Sequence, residues 1–188
     1  LAAMVRQGNG NFDNFEEVAR QMRLLYPGAD SLQLAPGGIT RRIVPLAGNE
    51  KGIGRDLLKD PVRDKEARLA RDSRKLTLAG PFELVQGGVG AVGRFPVFLG
   101  EKEGPQSFWG FATVVMRFPE LLDNVRLPQL TERGFGYELW RIHPDSGERQ
   151  IIAASDAVLS DPVHQSFELP NGRWTLSVAP VGGWGDPY

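Results

Sequence analysis

Between residues 14 and 25 the apolar side chains Phe15, Val18, Met22 and Leu25 recur at the spacing of one helix face. Asp13 stands where an N-cap belongs, and Pro27 and Gly28 close the segment. The pattern predicts one amphipathic helix whose charged face, Glu16, Glu17, Arg20 and Arg23, is solvated. The period then shortens, and runs over 31–35 and 39–46 flank Pro36, Gly37 and Gly38, which predicts two strands joined by a tight turn. Asp60 and Pro61 have the chemistry of a cap and a first helical residue for a helix near 62–74, with Ala67 and Ala70 or Leu69 turned to a core.

Runs over 75–79, 82–86, 91–99 and 107–116 are rich in β-favouring residues and bounded by Gly or Pro, so an antiparallel sheet is expected. Pro119 opens a short predicted helix over 120–125. Four more predicted strands, 135–142, 150–154, 163–169 and 174–178, imply a second sheet. Asn171-Gly172 predicts a type I′ hairpin turn, because that turn needs positive φ at both central positions. Asp145, Ser146 and Gly147 make a looser turn before it. The fold class this order supports is α+β, as two stacked lobes.

A chain of 188 residues, 41% hydrophobic, buries a sizeable core. With 22 basic against 23 acidic residues there is no overall field to gather nucleic acid or anionic lipid, and neither partner is expected. The absence of cysteine removes disulfides, a thiolate nucleophile and cysteine-ligated metal centres. The longest strongly apolar run, 108–116, is shorter than the ~20 residues that span a bilayer. The opening Leu1, Ala2, Ala3, Met4, Val5 has neither a charged leader nor a cleavage site, which points to a piece excised from a longer protein.

Catalytic and cofactor chemistry is thin. Gly88, Gly90 and Gly93 satisfy G-x-G-x-x-G, but a strand follows where dinucleotide binding needs a helix. His143 and His164 have no second histidine at metal spacing, and no G-x-S-x-G elbow occurs, so no metal or other cofactor is expected. The carboxylate pairs Glu16 with Glu17 and Glu101 with Glu103 read as solvated. Of the four tryptophans, Trp140 and Trp174 read as core. Arg94 stands apart because it interrupts an apolar strand, two residues from Pro96 and four from Phe98 on one face. It is either a buried cation that needs an acidic partner, backbone carbonyls or an anionic ligand, or a solvated side chain on an open face; both readings stand at this point.

Gly54-Arg55-Asp56-Leu57-Leu58, Glu66-Ala67, Ala70, Gly80-Pro81-Phe82-Glu83-Leu84, Arg94-Phe95-Pro96-Val97-Phe98 and Trp109-Gly110-Phe111 together resemble the CHASE family. Ser31-Leu32-Gln33-Leu34-Ala35-Pro36, Gly48-Asn49-Glu50, Trp174-Thr175-Leu176 and Gly183-Trp184 are similar to its bacterial branch. The resemblance implies an extracytoplasmic, periplasmic sensor cut from an inner-membrane receptor, with a histidine kinase or a GGDEF or EAL output enzyme elsewhere in the protein. It implies an N-terminal helix over 1–26 that pairs two copies, a membrane-distal PAS-like lobe over 27–117 that holds the ligand, and a membrane-proximal PAS-like lobe over 118–188.

Carried over residue by residue, the resemblance makes Leu57 an apolar wall, Val85 a backbone contact, Phe111 an aromatic wall and Phe82 a further member of the ligand-binding set. Arg63 stands where cytokinin receptors of the family use an aspartate to hold adenine, and Arg94 where they use a threonine. Exchanging an acceptor for guanidinium donors changes the expected ligand to a small anion. Two alternatives accompany this reading. One is a free-standing α+β enzyme using Arg94 and a carboxylate such as Asp56 on an anionic substrate; the other is an interaction module without a small-molecule pocket.

Overall fold

The computed structural model describes residues 1–84, 87–101, 104–118, 120–123 and 125–185. It divides the chain into two units, Leu1–Leu121 and Leu122–Tyr188, where the sequence reading placed the lobe boundary between 117 and 118. The architecture is α+β with two antiparallel sheets, as expected.

The first unit is built on a five-stranded sheet in the order β2-β1-β5-β4-β3, formed by β1 (Ser31–Pro36), β2 (Arg42–Val44), β3 (Thr77–Glu83), β4 (Val89–Gly100) and β5 (Gln106–Arg117). Strand alternation gives this sheet two faces of different character. On one, Leu32, Leu34, Val97 and Ala112 pack with Val5, Phe15 and Ala19 of two helices, α1 (Ala2–Gln7) and α2 (Phe15–Leu25). On the other, Ala35 and Phe111 pack with Leu57 and with Ala67 and Ala70 of α3 (Lys65–Ser73).

Several expectations change here. The N-terminal helix is two short helices, because the segment between α1 and α2 contains Asn9 and Gly10 with positive φ. The carboxylate of Asp13 caps no helix; it accepts from Asn11 Nδ2 at 2.8 Å while Asn14 takes the cap position. Phe15 and Ala19 form the buried stripe of α2, and Leu25, at its last residue, is 74% exposed rather than core. Helix α3 starts after Asp64; Asp60 instead closes the preceding turn, accepting from the Val62 and Arg63 N–H groups. Ala67 and Ala70 face the core and Leu69 is exposed.

The two strands expected over 75–79 and 82–86 are one strand, β3, with a register shift between Ala79 and Phe82. Pro81 has no N–H for the ladder, so the pairing breaks there and resumes. Val85, Gln86 and the helix-opening Pro119 lie outside the described residues. Of the helix expected over 120–125, α4 (Glu120–Asp123) is present.

The second unit contains α5 (Pro128–Glu132) and a sheet in the order β7-β6-β9-β8, made of β6 (Phe135–Ile142), β7 (Arg149–Ala154), β8 (Val163–Leu169) and β9 (Gly172–Pro180). The four expected strands are all present. The loop before β7 is the expected turn, with Gly147 at φ +71° and its N–H donating to His143 O at 3.0 Å. The β8–β9 turn differs from the type I′ expectation. Leu169 pairs with Gly172, so the central residues are Pro170 and Asn171, and neither Asn171 nor Gly172 has positive φ. The pyrrolidine ring holds Pro170 at negative φ, which the mirror-image turn cannot accept.

Gly110 on β5 is the tightest point of the first sheet. Its φ is +150°, and an added Cβ would lie 2.1 Å from Ala35 O on β1. Gly110→Ala is expected to lower unfolding stability by about 3 kcal/mol. Gly37→Ala, where φ is +63° but nothing lies within 4 Å, is expected to lose only about 1 kcal/mol. Urea unfolding of both variants checks this ordering.

Candidate functional site

The antiparallel register aligns one polar row across the first sheet. Gln33 on β1 pairs with Thr113 on β5, Thr113 with Arg94 on β4, and Arg94 with Thr77 on β3. Directly opposed residues share a face, so these four side chains lie on the side covered by α3. Apolar groups bracket the row, with Phe111, Ala35 and Leu57 at one end and Leu84, Val92 and Val115 at the other.

Arg94 is 6% exposed, which settles the open choice in favour of the buried cation. Burial pushes its guanidinium down to about 10; Arg55 pushes the same way, and Asp64 and Glu66 oppose them. It therefore stays charged at neutral pH. Among the described residues no carboxylate lies within ion-pair distance of Arg94, and its Nε has no hydrogen-bond partner. The hydroxyl of Thr113, directly across the strand pair, is also buried and unpaired. Thr77 is engaged, its Oγ1 donating to Glu66 O at 2.9 Å.

Gln33, Arg94 and Thr113 line a cavity of about 30 Å³ together with Thr40, Arg55, Leu57, Phe82, Leu84, Val92 and Val115, whereas Thr77 does not reach it. The chain from 50 to 58 roofs it because it is stitched to the β1–β2 hairpin. Thr40 N–H donates to Arg55 O at 3.0 Å, Gly54 N–H to Thr40 O at 2.8 Å, and Leu57 N–H to Gly38 O at 2.8 Å. Arg55 is fixed from the other side by Asp64, the residue capping α3, at 2.7 Å.

The residues expected at the site divide. Leu57, Phe82 and Arg94 line the cavity, with Phe82 42% exposed at its mouth. Phe111 is fully buried in the apolar cluster with Leu57 and α3 and is not part of the cavity lining. Arg63 sits exposed on the turn before α3, lining an open groove with Lys51, Asp56, Lys59 and Asp60. Val85 lies outside the described residues. Asp56, the carboxylate of the enzyme alternative, is exposed and accepts from Leu58 N–H at 2.9 Å.

Gln33, Thr40, Arg55 and Thr113 went unread. Gln33 had a signal, a polar residue between Leu32 and Leu34 in a short buried strand. The histidines serve local structure: His143 Nδ1 accepts from the Asp145 and Ser146 N–H groups, and His164 Nδ1 meets Ser177 Oγ at 2.8 Å.

The small cavity beneath residues 50–58, with Arg94 and Thr113 in its lining, is the candidate site of this sheet. The chain belongs to the CHASE domain family, whose sequence profile matches residues 39–152, and it is therefore an extracytoplasmic sensor domain. A solved structure described as an extracellular ligand binding receptor from Desulfohalobium retbaense DSM5692 superposes with a TM-score of 0.69 over 94% of this chain, at 14% identity. At that identity the likeness shows the fold, and this chain spans 35% of the length of that one. No curated protein matches the sequence.

Arg94→Met removes the charge while filling similar volume. Stability of the ligand-free protein is expected to rise by about 1–2 kcal/mol at neutral pH in urea unfolding, since an unpaired buried cation opposes folding. The folded-state value is depressed to about 10, well below the ordinary value of a guanidinium, so the penalty is complete below pH 10 and is relieved as pH rises above it. The gap between variant and parent should hold steady near neutral pH and narrow above about pH 10. A variant less stable than the parent at pH 7 would mean that Arg94 is compensated inside the fold.

Proposed function

We propose that this domain senses a small anionic molecule for a transmembrane signalling receptor, binding it in the cavity beneath residues 50–58. The observation that carries this is Arg94: a guanidinium buried to 6% exposure with an unpaired Nε, beside an unpaired Thr113 hydroxyl. Such an arrangement costs stability unless something outside the chain completes it. In this reading the ligand supplies the missing acceptors, and Leu57 and Phe82 wall it.

The segment 27–117 is the membrane-distal, ligand-holding lobe and 118–188 the membrane-proximal one, with a histidine kinase or cyclic-di-GMP enzyme as the cytoplasmic output. Two copies pair through the N-terminal helices, a reading supported by Leu24, Leu25 and Tyr26, all exposed at the end of α2. Regulation is a population shift: ligand stabilises the arrangement in which residues 50–58 close on Arg94.

The test is a thermal-shift screen of small anions against the parent domain and Arg94→Gln. A ligand at 100-fold excess over its Kd adds about 2.7 kcal/mol to folded-state stability, which raises the melting temperature by roughly 5–10 °C for a domain of this size. The shift should disappear in the variant while its circular dichroism is unchanged. Equal shifts in parent and variant, or none with any anion, would contradict the reading.

A further inference from the structure

The cavity defines its ligand more narrowly than charge sign alone. Two guanidiniums line it, Arg55 and Arg94, and one of them is already balanced by Asp64 at 2.7 Å. One positive charge is left, which one negative charge neutralises. Among the described residues, the fully buried unpaired donors in the lining are Arg94 Nε and Thr113 Oγ1, placed opposite each other across β4 and β5. Two adjacent donors suit the two oxygens of one carboxylate, and charge-assisted bonds of this kind are the strong ones.

Volume narrows the class again. About 30 Å³ holds roughly two waters, at about 10–15 Å³ each. That is about a tenth of the roughly 300 Å³ at which drug-sized pockets begin. A nucleobase does not fit, and beyond Arg94 and Thr113 the lining holds Gln33, Thr40, the Asp64-paired Arg55 and an apolar wall of Leu57, Leu84, Val92 and Val115, so that no second unbalanced cation receives a second carboxylate. A phosphate dianion brings a second negative charge that no unbalanced cation in the lining neutralises.

We propose that the cavity takes a short-chain aliphatic monocarboxylate, its two oxygens on Arg94 and Thr113 and its chain against the Leu84, Val92 and Val115 wall. This rests on the cavity being the sensing site. Phe82, half-exposed at the mouth, moves aside for chains longer than the resting volume allows.

Isothermal titration of the domain with sodium acetate, propionate and butyrate, against succinate, inorganic phosphate and neutral propionamide, tests it. One or more of the monocarboxylates should bind at least ~10-fold more tightly than the other three compounds. Thr113→Val, equal in size, should weaken that binding by about 10-fold without lowering the melting temperature of the free protein, and Arg94→Gln by about 100-fold. If Arg94→Gln fails to fold, the valine variant carries the test. Phosphate or succinate binding more tightly, and depending on Arg94, would overturn the monocarboxylate assignment and leave the anion sensor standing. Monocarboxylate binding that neither variant weakens would overturn the assignment by putting the ligand elsewhere, and no binding of any anion would overturn both readings.

Discussion

Taking a guanidinium out of water costs several kcal/mol unless partners inside the protein replace what water supplied. The first unit pays this at Arg94, in the middle of a five-stranded sheet whose neighbouring rows are apolar. The placement follows from register. Given that Thr77, Arg94, Thr113 and Gln33 stand opposite one another, a slip of one residue would turn Arg94 toward the apolar cluster of Val5, Phe15 and Ala19 on the N-terminal helices. Each strand therefore contributes to keeping one charge on one face.

The roof over that charge is held by a second constraint. Residues 50–58 form no sheet strand, yet three backbone hydrogen bonds to the β1–β2 hairpin and the Arg55–Asp64 pair hold them over the polar row. Asp64 serves two elements at once, as the residue before the first turn of α3 and as the partner that neutralises Arg55. The consequence is an asymmetry: of the two guanidiniums, one is paired inside the chain and the other has a buried Nε without a partner. Sensing domains need such an asymmetry, because only a group whose needs are unmet in one state gives a ligand something to stabilise differentially.

Strands were the most legible part of the sequence, since β1, β4, β5, β6 and β8 are runs of β-favouring residues bounded by Gly or Pro. What failed did so where local chemistry had competing solutions. Asp13 bonds Asn11 rather than capping, and Pro170 takes over a turn that Asn171-Gly172 would otherwise have set. Arg94 was legible as an anomaly because charge inside an apolar strand demands an account. Thr113 was not, because a threonine in a strand satisfies β-propensity as well as valine does, and only the register reveals that it faces Arg94. Arg55 was hidden for a different reason: its role depends on a loop stitched in place by backbone bonds that side-chain patterns do not encode. Arg63, by contrast, was taken into the site by resemblance, and its position on a solvated turn separates it from the cavity lining.

The central claim is that Arg94 holds a buried, internally unsatisfied Nε–H that a ligand completes. Nitrogen-15 NMR of the arginine Nε–H groups reads this directly, with the Arg94 signal assigned by its loss in Arg94→Lys. The account predicts a resonance whose exchange with water is slow compared with surface arginines, and which moves downfield and slows further on addition of a bound anion. An Arg94 Nε–H that exchanges at the rate of a solvated guanidinium, or that does not respond while an anion binds the domain, would contradict it.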